Sequence, residues 1–151
     1  MAAATSIMRA QQIVLAQVDA MLRPFDLTFA RYEALVLLYF SRRGALPLGK
    51  MGDRLMVHPT SVTNSINRLE AQGFVRRIPH PTDRRTTLAE ITPEGREVVE
   101  QATAVLVEAR FGLNALAEEE AVELTRLVEV LRRGVGDFRD KPAGAEAPSS
   151  K

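Results

Sequence analysis

Ser61-Val62-Thr63-Asn64-Ser65-Ile66-Asn67-Arg68-Leu69-Glu70-Ala71-Gln72-Gly73-Phe74-Val75 decides how the rest of the chain is read. At the helical step of about 100° per residue, Val62, Ile66 and Leu69 share one narrow arc. Thr60, Asn64, Asn67 and Arg68 fall opposite, with Ser61 and Thr63 flanking them. Pro59 suits the first position of such a helix and Gly73 the residue just past its end. A helix face that only meets water is usually rich in Glu and Lys. This one carries hydroxyls, two asparagines and an arginine, which supply donors and acceptors for base edges and phosphates in a major groove. A solvated face is the plainer alternative for the helix taken alone.

The neighbours on both sides strengthen the groove reading. Upstream, Leu48, Met51 and Leu55 are spaced i, i+3 and i+7, which predicts a helix over 47–55 that Pro47 opens. Met56-Val57 then makes a tight turn. Downstream, Phe74-Val75-Arg76-Arg77-Ile78 and Thr87-Leu88-Ala89-Glu90-Ile91 are β-type runs flanking Pro79-His80-Pro81-Thr82-Asp83-Arg84-Arg85. They predict a two-stranded hairpin with a basic tip. Arg84 and Arg85 are cations suited to a minor groove, Asp83 can hold a guanidinium in pose, and Pro79 and Pro81 stiffen the approach. Helix, short turn, helix and basic hairpin together describe a winged helix-turn-helix.

Outside that module the chain is helical. Ile7, Val14, Leu15, Val18, Met21 and Leu22 space out one helix over 5–23, which Pro24 ends. Thr28 caps a second over 28–42, apolar nearly all round between Tyr32 and Phe40, so burial on every side is expected. Ala45-Leu46 suits a very short strand. Thr92-Pro93-Glu94 opens a fifth helix expected to reach 111–116, and a sixth is expected over 118–135. The first, fifth and sixth helices are amphipathic and lie beyond the basic module, which is too small to bury them all. A homodimer is therefore expected. The expected organisation is N-terminal helices for dimerisation and core over 1–46, a DNA-binding module over 47–92, C-terminal dimerisation helices over 93–138 and a disordered tail over 139–151. Two-fold symmetry then calls for an inverted repeat, with half-sites about ten base pairs apart and recognition helices about 34 Å apart.

Composition excludes several function classes. Among 151 residues there is no cysteine, which removes disulfides, thiolate metal sites and thiol nucleophiles. No apolar run approaches the roughly 18 residues of a membrane span, and the first residues do not read as a secretory signal. No membrane partner is expected, and a cytoplasmic location is the simplest reading. The net charge of +1 hides an asymmetry: Pro47 to Thr86 carries +4, whereas Glu90 to Val130 carries −7. A basic middle and an acidic C-terminal half imply different partners. His58 and His80 read as exposed or phosphate-facing rather than as metal ligands, so neither a metal nor a cofactor is expected. No nucleophile–base pair, phosphate-cradling glycine loop or carboxylate dyad is present, so an enzyme is not expected.

The run from Ser61 to Val75 resembles the recognition helix and first wing strand of the MarR family of transcriptional regulators. Pro81-Thr82-Asp83-Arg84-Arg85, followed by Leu88, Ile91-Thr92 and Glu94-Gly95, is similar to that family's wing and the start of its next helix. Leu27-Thr28 with Tyr32 to Leu37 resembles the opening of its second helix. The resemblance spans about residues 7–137 and departs from one common form at Asn64, where many members carry Arg. It implies a mainly α fold with a small β-wing, in which helices one, five and six of two protomers interlock. It also implies that Arg85 enters the minor groove with Asp83 in support. A pocket is implied between the dimerisation helices and the DNA-binding lobe, where Tyr32 and Tyr39 would offer polar tips to a small apolar or aromatic effector. Core packing is the plainer reading of those two tyrosines. The implied function is a sequence-specific regulator of transcription, a repressor on an inverted-repeat operator, released by an effector. The alternatives are a winged-helix scaffold that binds proteins, or a non-specific architectural DNA binder.

Overall fold

The computed structural model describes residues 1–83 and 85–136. The expectations for Arg84 and for the tail over 139–151 lie outside those residues. Helix α1 spans Ala2–Leu22, and Pro24 sits in a single 3-10 turn, Arg23–Phe25, that follows it. Asp26 adopts a left-handed conformation (φ 53°) and turns the chain back, and Leu27 is buried. Helix α2, Phe29–Tyr39, starts at Thr28, whose hydroxyl accepts from the Arg31 N–H at 3.4 Å. The carboxylate of Asp19 in α1 accepts the Phe29 N–H at 2.6 Å, so a side chain of the first helix satisfies an end of the second.

Strand β1 is Ala45–Pro47, helix α3 is Leu48–Leu55 and helix α4 is Pro59–Ala71. Strands β2, Val75–Pro79, and β3, Thr87–Ile91, follow, and helix α5 runs over Pro93–Glu108. The sheet has three strands in the order β1-β3-β2, all antiparallel, with Ala45 opposite Glu90 and Val75 opposite Ile91. The expected hairpin is therefore part of a larger sheet: β1 takes the second edge of β3. A three-residue strand is too short to announce its partner through alternation, so the pairing is decided by position in space. Gly44 supplies the final link, its carbonyl accepting the Ile91 N–H at 2.8 Å.

The core of residues 1–112 gathers around α2, whose Leu35 and Leu38 are fully buried. Val18 and Leu22 reach it from α1, Ile66 and Leu69 from α4, and Ala102 and Leu106 from α5. Burial of α2 on every side does not occur. Val36 and Leu37 are half-buried and Phe40 is 79% exposed, so this chain's own core leaves part of that apolar surface uncovered. Helix α5 also stops sooner than expected, at Glu108. Arg110 and Phe111 take positive φ values of 47° and 51°, and Gly112 follows at 78°. The apolar pattern that continues into Leu113 and Leu116 carries no information about this break.

Of the second unit, residues 113–136 are described, with helix α6 over Glu118–Gly134. Glu120 accepts the Ala117 N–H at 2.8 Å, and the acidic first turn with Arg132 and Arg133 in the last complements the helix dipole. No residue of α6 is buried.

Gly95 explains the Glu94-Gly95 pair at the start of α5. A Cβ there would sit 2.1 Å from the Phe74 carbonyl oxygen, in the turn that joins α4 to the sheet. Gly49 in α3 faces open space. Gly95→Ala should destabilise the fold by about 1–3 kcal/mol through backbone displacement. Gly49→Ala should stabilise it by up to about 1 kcal/mol through helix propensity. Urea titrations of the two variants check this, and equal effects would contradict the close approach.

Candidate nucleic-acid interface

Two left-handed residues shape the reading unit. Met56 ends α3 at φ 54°, and the N–H groups of Met56 and Val57 both reach the Gly52 carbonyl. The chain thus turns within three residues and enters α4 at Pro59. His58 caps that helix through its side chain, with Nδ1 accepting the Thr60 N–H at 3.2 Å. The far end closes as cleanly. Gly73 at φ 79° lets the Phe74 N–H reach the Leu69 carbonyl at 2.9 Å and its own N–H reach the Glu70 carbonyl at 3.0 Å. Between these ends Val62, Ile66 and Leu69 are buried, while Thr60, Ser61, Thr63, Asn64, Asn67 and Arg68 are all exposed. The expected division of the helix into an inner and an outer face is the observed one.

The outer residues are not all equally available. Thr63 donates its hydroxyl back to the Pro59 carbonyl at 3.1 Å. The carbonyl oxygen of Asn67 accepts from the Arg77 guanidinium at 2.6 Å. Glu70 pairs with that same guanidinium and also accepts the Arg77 backbone N–H at 3.2 Å. One arginine of β2 is thus stitched to two side chains of α4, and that strand is fixed to the helix. Arg76 pairs with Glu90 across the β2–β3 pair. The basic character counted along the sequence is therefore partly neutralised in space. The exposed cations of the region include Lys50, Arg54, Arg68 and Arg85.

The wing loop is held by its own side chains. Nδ1 of His80 accepts from the N–H of Thr82 at 3.3 Å and of Asp83 at 3.1 Å. One carboxylate oxygen of Asp83 accepts the Arg85 N–H at 3.0 Å, and the other accepts the Thr86 hydroxyl at 2.6 Å. Asp83 therefore positions Arg85 through its backbone, where the sequence suggested a grip on a guanidinium. The reason is reach: a carboxylate two residues away meets the main chain of a tight turn before it meets a long side chain. The Thr86 hydroxyl and the Arg85 N–H, with the nearby His80, hold the Asp83 carboxyl below the usual carboxylate range.

One flank of the candidate interface was missed in the sequence. Arg31, in the first turn of α2, and Arg68 of α4 line a cleft of about 470 Å³ together with Thr28, Asn64, Ser65 and Gln72. Arg31 is steered by Gln72, which accepts at 3.4 Å while donating to the Asp26 carbonyl at 2.8 Å. An arginine three residues after a capping threonine was the available signal. The two tyrosines behave as ties. The Tyr32 hydroxyl shares a 2.9 Å hydrogen bond with Thr103, and the Tyr39 hydroxyl donates to Glu100 at 2.8 Å, so both link α2 to α5. Arg96 lies 5.4 Å from the centre of the Tyr39 ring. Both tyrosines also border an open cavity of about 420 Å³ with Val36, Phe40 and Val107. No helix among the described residues is long and apolar enough to cross a membrane.

This arrangement has counterparts. A family profile described as the MarR family matches residues 27–87. Sco5413, a MarR family transcriptional regulator from Streptomyces coelicolor, is 56% identical and superposes with a TM-score of 0.87 over 93% of this chain and 97% of its own. The chain belongs to the MarR family. The HTH-type transcriptional regulator YhbI of Bacillus subtilis (strain 168) is 32% identical over 63% of this chain, a match that spans 60% of YhbI. Sco3205 of Streptomyces coelicolor, solved in complex with DNA, shares the MarR fold at a TM-score of 0.78 and 23% identity, over 91% of this chain and 90% of its own. These relatives are regulators and not enzymes, in agreement with the sequence. The winged-helix architecture with a small β-sheet is likewise the one expected.

Because its bonds lower the Asp83 pKa, the ordering of the wing loop is complete above the ordinary carboxylate range. It is lost as the pH falls through the lowered value. In NMR spectra the Arg85 and Thr86 amides should report an apparent pKa below the usual Asp value, and Asp83→Ala should abolish that titration. A titration above the usual value would contradict the loop geometry.

Proposed function

We propose that this MarR-family chain is a sequence-specific, duplex-DNA-binding regulator of transcription that works as a homodimer in the cytoplasm and represses its targets. The observation that carries the reading is the polar outer face of α4 standing beside a wing strand rigidly tied to it. A recognition helix inserted in a major groove needs groups free to meet base edges, and Asn64 and Arg68 are exposed there. A wing needs a cation delivered at a fixed angle, and Arg85 sits on the loop that Asp83 braces. Arg31 and Arg68 across their cleft suit backbone phosphates, which position a protein without specifying sequence.

The roles divide as the sequence suggests, with residues 47–92 reading DNA and the helices over 1–46 and 93–138 joining protomers. Helix α1 exposes Ile7, Met8 and Ile13, and α6 exposes Leu124, Leu127 and Leu131. Large apolar side chains in such numbers on two helices call for a partner. A second copy satisfies them and doubles the reading unit, so the operator is an inverted repeat with half-sites about ten base pairs apart. The apolar concavity beside Tyr32 and Tyr39 is where a small aromatic or apolar effector would bind. Such a ligand would favour a protomer spacing that no longer matches DNA.

A fluorescence titration on duplex from the chain's own upstream region tests the proposal. Affinity should fall steeply with salt, as counterion release demands. Asn64→Ala should cost about 1–3 kcal/mol on the preferred duplex, and Arg85→Ala should weaken binding as well. Binding that is insensitive to salt, or an Arg85→Ala protein that binds as tightly as its parent, would refute the assignment.

A further inference from the structure

Building on the DNA-binding reading above, we infer that Asn67 reads its base pair with hydrogen-bond donors only, because Arg77 holds its carbonyl oxygen against the wing strand. A guanidinium has five N–H donors and no acceptor. The Asn67 atom 2.6 Å from Arg77 Nη2 is therefore the carbonyl oxygen, and the amide nitrogen points away from it. Arg77 is not free to release that oxygen at small cost. Its guanidinium pairs with Glu70, its backbone N–H reaches the same carboxylate at 3.2 Å, and its side chain is only 28% exposed.

Asparagine commonly recognises adenine with both ends of its amide, accepting from N6 while donating to N7. That contact requires the oxygen and the nitrogen to lie along one base edge. With the oxygen turned toward β2, only the NH₂ group can face the groove. The atoms it can meet are acceptors: N7 of either purine, O6 of guanine and O4 of thymine. An adenine would be contacted through N7 alone, with its N6 amino group silent. Cytosine, which presents an amino donor, would be rejected. Arg77 is thus a positioning residue that sets specificity through Asn67. The Glu70 carboxylate that neutralises it also argues against its acting as a phosphate contact.

Sequence selection from a random duplex pool, run with the parent protein and with Asn67→Ala, Arg77→Met and Arg77→Lys, tests this. Asn67→Ala should lose the preference at one base pair per half-site and keep the others. On the parent's preferred duplex, a 7-deaza purine or a thymine analogue lacking O4 at that pair should weaken binding on the order of tenfold. The same change should leave Asn67→Ala unaffected. Removing the N6 amino group from an adenine placed there should change nothing. Arg77→Met removes every donor and frees the Asn67 oxygen, so adenine should gain at that pair while the other positions, which report an intact fold, keep their preferences. Arg77→Lys, whose ammonium can still donate to that oxygen and pair with Glu70, should stay nearer the parent. The inference is overturned if the parent depends on an adenine N6 at that pair, if Asn67→Ala keeps every preference, or if a folded Arg77→Met protein keeps the parent's preference there. Should the parent enrich no sequence at all, the DNA-binding reading falls and this inference with it. The base-analogue measurements on the parent decide the matter even if an Arg77 variant does not fold.

Discussion

Ile66 and Leu69, both completely excluded from solvent, hold α4 against the rest of the core by one side only. Each buried aliphatic side chain of this kind contributes about 1.5–3 kcal/mol by removal from water. Turning the helix by one residue would bring Asn67 into the core and expose Ile66. An unpartnered amide in that setting is itself costly. The packing therefore sets the azimuth of the helix, and the azimuth decides which side chains face outward. The outer face is polar because the inner one is apolar, and neither can be altered without the other.

The wing inherits its aim from the same helix. Gly73 ends α4 with the chain already turned toward the sheet, and the Asn67–Arg77–Glu70 network then ties β2 back to the helix it has just left. On the other side Thr92 donates its hydroxyl to the Gly73 carbonyl at 2.7 Å and accepts the Gly95 N–H at 3.0 Å, so α5 starts from the same corner. Three elements that must keep a fixed relation for a helix and a wing to fit adjacent grooves thus share one hydrogen-bonded junction. The loop bearing Arg85 adds its own brace through Asp83 and His80.

Much of this was legible because it is local. Pro59 and Gly73 bracket α4, Thr28 and Thr92 cap their helices, and the periodicity of Val62, Ile66 and Leu69 assigns its faces correctly. The resemblance carried by the run from Ser61 to Val75 placed the chain in its family. What escaped the sequence is what depends on neighbours brought together by folding. The pairing of β1 with β3 joins residues more than forty positions apart. The commitment of Asn67 to Arg77 crosses the turn between helix and sheet, and charge counting treated Arg76 and Arg77 as free cations although each faces a glutamate. The early end of α5 rests on backbone conformations at Arg110 and Phe111 that no pattern of apolar residues encodes. Exposed Phe40 reverses the expectation for α2, since a run of apolar residues says that burial is needed without saying which chain supplies it.

The proposed mode of binding has the outer face of α4, repeated by a symmetry mate, fitting two consecutive turns of a DNA duplex. Hydroxyl-radical footprinting on the duplex that the protein prefers tests it most directly. Two symmetric protected blocks per strand pair, centred about one helical turn apart, are expected. A single protected block, or uniform protection that ignores sequence, would contradict it.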